Sequence, residues 1–207
     1  MLLGCCAAVV LLALATVCLA TGEMSIAPSV ALRAVVGFGD AGEVYVVQQF
    51  RAPRLVAALV AGAGLAAAGA VLQRLFRNPL ASPDVMGITG GASFGSVVVL
   101  ATGASQSLIP LGALGGGILA ALLLGLFAWR SGLAVTRLVL VGLAVQAGLA
   151  AAVNLMIVRF PAELAGSAMQ WTTGSLYGRS WTEVWGAAAG SVLVLAAAFV
   201  LHRRLAV

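Results

Sequence analysis

Between Arg54 and Arg74 the chain carries no charge, and apart from Gln73 the run is built of Leu, Val, Ala and Gly. An α-helix rises about 1.5 Å per residue, so about 20 such residues cross a hydrocarbon core of about 30 Å. The run has that length. A polar break with two prolines follows, Arg77-Asn78-Pro79-Leu80-Ala81-Ser82-Pro83-Asp84. Hydrocarbon tolerates a backbone that satisfies its own N–H and C=O groups, so the run is a helix and the break belongs at an edge or beside a water-lined cavity. Hydrophobic residues make up 62% of the chain and charged residues 8%, against about 25% charged in a soluble domain. The expected fold class is an all-α integral membrane protein, a polytopic bundle of about six transmembrane helices.

Six apolar runs fit such helices: residues 2–21, 54–75, 84–103, 108–129, 135–158 and 182–202, within one transmembrane domain over 1–207. The first reads as a retained helix, because no positively charged segment precedes it as in a cleaved signal peptide. Its Cys5, Cys6 and Cys18 read as small buried hydrophobes. Two long polar excursions, 22–53 and 159–181, lie on one side. Five arginines go with that side (Arg33, Arg51, Arg54, Arg159, Arg179) and six with the other (Arg74, Arg77, Arg130, Arg137, Arg203, Arg204). Arginine excess marks the cytoplasmic side. Long loops outside and both termini cytoplasmic is the orientation adopted.

Local signals refine the picture. Ser180-Trp181-Thr182-Glu183 has capping-box spacing and starts the last helix. Ser82-Pro83 reads as an N-cap followed by a first-turn proline. Residues 162–175 read as a short interfacial helix, and Trp171, Trp181 and Trp185 as a headgroup-level belt. Small residues recur every four positions at Gly87/Gly91/Gly95, Gly112/Gly116 and Ala144/Gly148/Ala152, the pattern by which helices approach closely in lipid.

The chemistry is sparse. No lysine occurs, so a phosphate-binding loop of the Walker type is ruled out. Any ATP hydrolysis belongs to a partner. The arginines stand singly or in pairs at span ends, which argues for membrane orientation and against nucleic acid. No acid, arginine or histidine lies mid-span, where a proton-driven carrier needs one. Gln73, Gln146 and Asn154 are the polar mid-membrane candidates, for interhelical hydrogen bonds or for lining a pathway. Gly91-Ala92-Ser93-Phe94-Gly95 fits a nucleophile-elbow pattern, and an intramembrane serine protease using Ser93 is a rival reading. Its base would have to be His202, the only histidine, at the far end of the last helix. An independent six-span channel or carrier is a second rival. No catalytic residue, metal site or cofactor is expected.

One family resemblance covers the whole chain. Arg51-Ala52-Pro53-Arg54, then Phe76-Arg77-Asn78-Pro79-Leu80-Ala81-Ser82-Pro83, then Met86-Gly87-Ile88-Thr89-Gly90-Gly91-Ala92 resemble the membrane-spanning permease subunits of ABC importers for ferric siderophores, haem and cobalamin. Trp171-Thr172-Thr173-Gly174-Ser175-Leu176 and Trp181 extend the likeness, and Met86 stands where the family has Leu. The resemblance implies a permease domain in a bacterial inner membrane, a periplasmic or lipid-anchored substrate-binding protein, cytoplasmic ATPase subunits, and a second permease copy or a homologous permease. It implies docking charges at Arg51 and Arg54. It also implies a cytoplasmic gate of Asn78 and Leu80 with Val135 and Thr136, Val135 departing from the family's hydroxyl residue. Permeases of the family have about ten spans, so this sequence resembles their front portion. It is expected not to couple to ATP hydrolysis by itself.

Overall fold

The computed structural model describes residues 2–129 and 135–205, without side-chain detail at 3, 128, 129, 135, 136, 198 and 200–205. The regular elements among them are helices: α1 (Leu2–Ala20), α2 (Pro28–Val35), α3 (Ala41–Val46), α4 (Ala52–Phe76), α5 (Ile88–Ala101), α6 (Ile109–Trp129), α7 (Val135–Arg159), α8 (Ala162–Thr173) and α9 (Trp181–Leu205). A π-helical turn, Val47–Arg51, runs into α4, and a 3-10 turn, Gln106–Leu108, precedes α6.

Helices α1, α4, α5, α6, α7 and α9 overlie the six apolar runs, and α8 falls within 162–175. Among the described residues, three helical stretches are long and apolar enough to cross a membrane by length and composition: Ala41–Phe76, Gln106–Phe127 and Arg137–Arg159. The sequence reading missed α2 and α3 inside the 22–53 excursion. Local rules account for both. Pro28 opens α2, where a missing N–H is harmless. The Asp40 carboxylate caps α3 by accepting from the Gly42 N–H at 3.0 Å.

The chain forms two compact units. One comprises residues 1–64 and 176–204, the other 65–175 and 205–207. In the first, the end of α1, α2 and the π turn share a core of Leu19, Ile26, Ala31, Ala34 and Val47. The rest of α1 is open, with Val9, Leu12 and Leu14 exposed. The cysteines follow: Cys5 and Cys6 are exposed free thiols and Cys18 is half-buried. The expectation of buried cysteines fails because nothing in the described structure covers that stretch of α1.

In the second unit, α5 and α6 meet backbone to backbone. A Cβ on Gly95 would sit 2.1 Å from the Gly112 carbonyl oxygen, and one on Gly116 would sit 2.1 Å from that of Gly91. Apolar side chains gain nothing from leaving lipid for each other, so close van der Waals approach is what joins such helices. One end of the unit packs around Val97, Leu100, Ile109, Val153 and Ala168. The other end packs around Ala81, Met86, Leu124 and Leu138. The third small-residue stripe is unused: Ala144 is exposed and no atom lies within 4 Å of a Cβ built on Gly148.

The expected 84–103 helix is shorter than its apolar run. Gly87 has φ +76°, and α5 begins only at Ile88. Its 14 residues rise about 21 Å, less than a hydrocarbon core.

The glycine seam is testable. Gly95→Ala should destabilise the reconstituted protein by about 1–3 kcal/mol, because the added methyl meets backbone that cannot give way. Gly115→Ala, with nothing within 4 Å of its Cβ position, should be neutral or stabilising by up to about 1 kcal/mol. Equilibrium unfolding in mixed micelles reads both.

Candidate functional site

In the first unit the site grows from Pro53. Proline has no N–H and its ring crowds the carbonyl four residues back. The chain answers with a π turn: the Ala52 N–H donates to the Val47 carbonyl, five residues back. In that register the carbonyl of Gln48 faces position 53, where no donor exists. The indole Nε1 of Trp181 fills the gap, donating to Gln48 O at 2.9 Å from 133 residues away.

The same turn holds two more helix ends. Gln48 Nε2 donates to the carbonyls of Ala34 and Val35 at 3.3 and 3.2 Å, in the last turn of α2. Arg51 Nη1 donates to Leu19 O at 2.7 Å, and Nη2 donates to Met24 O. Leu19 lies in the last turn of α1, where orphan carbonyls and the negative end of the helix dipole favour a cation. Gly22 gives the guanidinium room: a Cβ there would lie 3.0 Å from Nη2. Arg51 is 8% exposed.

Arg54 is different. It is exposed and lines a cavity of about 800 Å³ with Met24, Phe50, Arg51, Tyr177 and Arg179. Arg179 pairs with Glu183 at 3.1 Å. Glu183 also accepts from the Ser180 backbone N–H at 2.8 Å, so the expected cap starts α9 and fixes one wall of the cavity. The motif therefore separates its arginines: Arg51 is used inside the fold, and Arg54 is available to a partner.

In the second unit the polar break forms two successive helix terminations. At the end of α4 the Asn78 N–H bonds Gln73 O and the Arg77 N–H bonds Arg74 O, with Arg77 at φ 48°. This pairing is a Schellman motif. Asn78 Oδ1 then accepts from the Leu80 N–H at 2.9 Å, folding a tight Asx turn that leaves Leu80 79% exposed. Ser82 Oγ accepts from the Val85 N–H at 3.3 Å, as a cap would. The helical turn it starts closes at once, with Ile88 N–H to Pro83 O and Gly87 N–H to Asp84 O. Ser82 thus caps a single turn rather than α5. Thr89 Oγ1 donates to Asp84 Oδ1 at 2.5 Å across the joint. A Cβ on Gly142 of α7 would lie 2.7 Å from Val85 O, so α7 seats the whole segment. Asn78 and Leu80 stand together on this break. The side chains of Val135 and Thr136 lie outside the described residues.

The three polar candidates, Gln73, Gln146 and Asn154, have separate surroundings. Gln146 Oε1 is buried without a hydrogen-bond partner, against Gly90. Gln73 and Asn154 are exposed. Ser93 lies inside α5, between the glycines of the α6 seam. That is a helix interior, not the strand–turn–helix context of a nucleophile elbow. Among the described residues no group of three or more His, Cys, Asp or Glu could hold a metal ion.

Residues 9–207 match the model of the FecCD transport family. The chain belongs to that family. It is 42% identical over 180 residues to the achromobactin transport system permease protein CbrC of Dickeya dadantii, an alignment covering 86% of this chain and 52% of the relative. It is 38% identical over 188 residues to the ferric enterobactin transport system permease protein FepG of Escherichia coli, covering 90% of this chain and 57% of the relative. A solved structure, an inward-facing conformation of a metal-chelate type ABC transporter, superposes with TM-score 0.79 at 29% identity, covering 96% of this chain and 61% of the other. This FecCD chain is a multi-pass membrane protein, and it spans about half the length of the curated relatives it matches.

Within the FecCD chain the arginines should separate in stability. Arg51→Met leaves the Leu19 and Met24 carbonyls unpartnered and should cost about 2–3 kcal/mol. Arg54→Met should stay within about 0.5 kcal/mol of the parent. Thermal unfolding in detergent measures the difference.

Proposed function

We propose that this chain forms the front portion of a permease subunit in a binding-protein-dependent ABC importer of metal chelates, of the iron-siderophore, haem or cobalamin type. The observation that carries the reading is the family match over residues 9–207. Relatives named as permeases of achromobactin, Fe(3+)-citrate and ferric enterobactin systems support it. The long loops face outward and both termini are cytoplasmic. A substrate-binding protein docks on the outer face, where exposed Arg54 offers an unspent charge beside the cavity. Arg51 supports that face from within. ATP is hydrolysed by separate subunits, in keeping with a chain that has no lysine. Asn78 and Leu80 contribute to the cytoplasmic gate with the start of α7.

A second permease polypeptide packs on the open face of α7. Exposed Ala144, Ala147, Gly148, Ala151 and Asn154 recur there at helical spacing, a surface small enough for close approach. Gln73 and Asn154, both exposed, are pathway candidates, whereas Gln146 is set into the α5 contact.

Docking is tested by pull-down. The probe is the substrate-binding protein encoded nearest this chain, with the permease in nanodiscs. Arg54→Glu should weaken capture by about ten-fold or more, and the parent interaction should weaken as salt rises. Undiminished capture by Arg54→Glu would remove Arg54 from the interface.

A further inference from the structure

The Trp181–Gln48 hydrogen bond links the start of α9 to the turn that leads into Arg54. The π turn has one face on each of two cavities: Gln48 and Ala52 line one with Trp181, while Phe50, Arg51 and Arg54 line the other. A π turn is an α-helix with one residue too many. Its register decides where the residues on either side point, because one residue of helix is about 100° of rotation. Three interactions could hold that register. Two, from Gln48 Nε2 and from Arg51, act on side chains upstream of Pro53. Only the indole acts on the main chain, at the carbonyl that Pro53 leaves open. Trp181 is itself held. It begins α9 directly after Ser180, whose N–H is fixed by Glu183, and it stacks on Trp185 with ring centroids 5.9 Å apart.

We propose that Trp181 is a positioning residue for docking. By supplying the donor that Pro53 lacks, it keeps the π register that sets Arg54 at the cavity. This rests on the docking reading above. With Trp181 absent the open carbonyl has no partner, and the turn relaxes toward whichever register satisfies it. Arg54 is then presented over a range of directions, and the binding protein must select the productive one, lowering its apparent affinity.

The test is a double-mutant cycle on binding-protein affinity, measured with the chain in nanodiscs and the same binding protein as probe. Trp181→Phe should weaken binding about ten-fold when Arg54 is present and less than about two-fold in an Arg54→Ala background, since coupled residues are not additive. Equal factors in both backgrounds, or no loss with Arg54 present, would overturn the positioning role while leaving docking intact. An Arg54→Ala variant that binds like the parent removes Arg54 from the interface, and overturns this inference with it. Pro53→Ala guards against a general folding defect. It restores a backbone donor, so Trp181→Phe should add nothing to it; a further ten-fold loss there would count against the mechanism.

Discussion

A main-chain carbonyl stripped of its donor costs several kcal/mol where water is scarce, and this chain creates such a carbonyl at the mouth of α4. Pro53 withholds an N–H, the turn widens by one residue, and Gln48 O is left facing outward until an indole reaches it. The rest of this part of the first unit is organised around that turn. Gln48 and Arg51 close the C-terminal ends of α2 and α1 from it, and α9 starts beside it. The arginine before the proline, Arg51, is therefore structural, and the one directly after it, Arg54, is the one that can act outside the molecule.

The polar break after α4 follows the same physics with different residues. Two left-handed positions, Arg77 and Gly87, let the chain end one helix, make a single turn and start another with its backbone groups accounted for locally. Leu80 is the residue this arrangement leaves projecting. The Asx bond from Asn78 holds the turn that presents it.

Much of this was legible from residue order. Charge-free length located the long helices, Ser180 with Glu183 located the start of α9, and the Gly91/Gly95 and Gly112/Gly116 spacing marked both as packing stripes. What periodicity misses is conformation and long-range pairing. Gly87 could equally have sat inside a helix, so the late start of α5 was hidden. Arg51 and Arg54 look alike in one dimension, and only the end of α1 folding back to Leu19 and Met24 separates them. Pro53 was read only as part of the arginine motif, and nothing local points to Trp181 as the group that replaces its missing donor. The Ala144/Gly148/Ala152 stripe carries the same spacing signal as the packed glycines, yet lies open, because spacing marks the capacity for contact and not its partner.

The bare contact between α5 and α6 also limits how the molecule can deform. Where Gly95 and Gly112 touch, Val99 stands directly alongside, so turning either helix about its own axis drives a side chain into a gap that has no width for one. The pair can bend or swing only as one stiff lever. At the start of α5 that lever rests on α7, where Gly87 lies against the Gly142 carbonyl and Gly90 against Gln146, so a swing of the pair strains both contacts together.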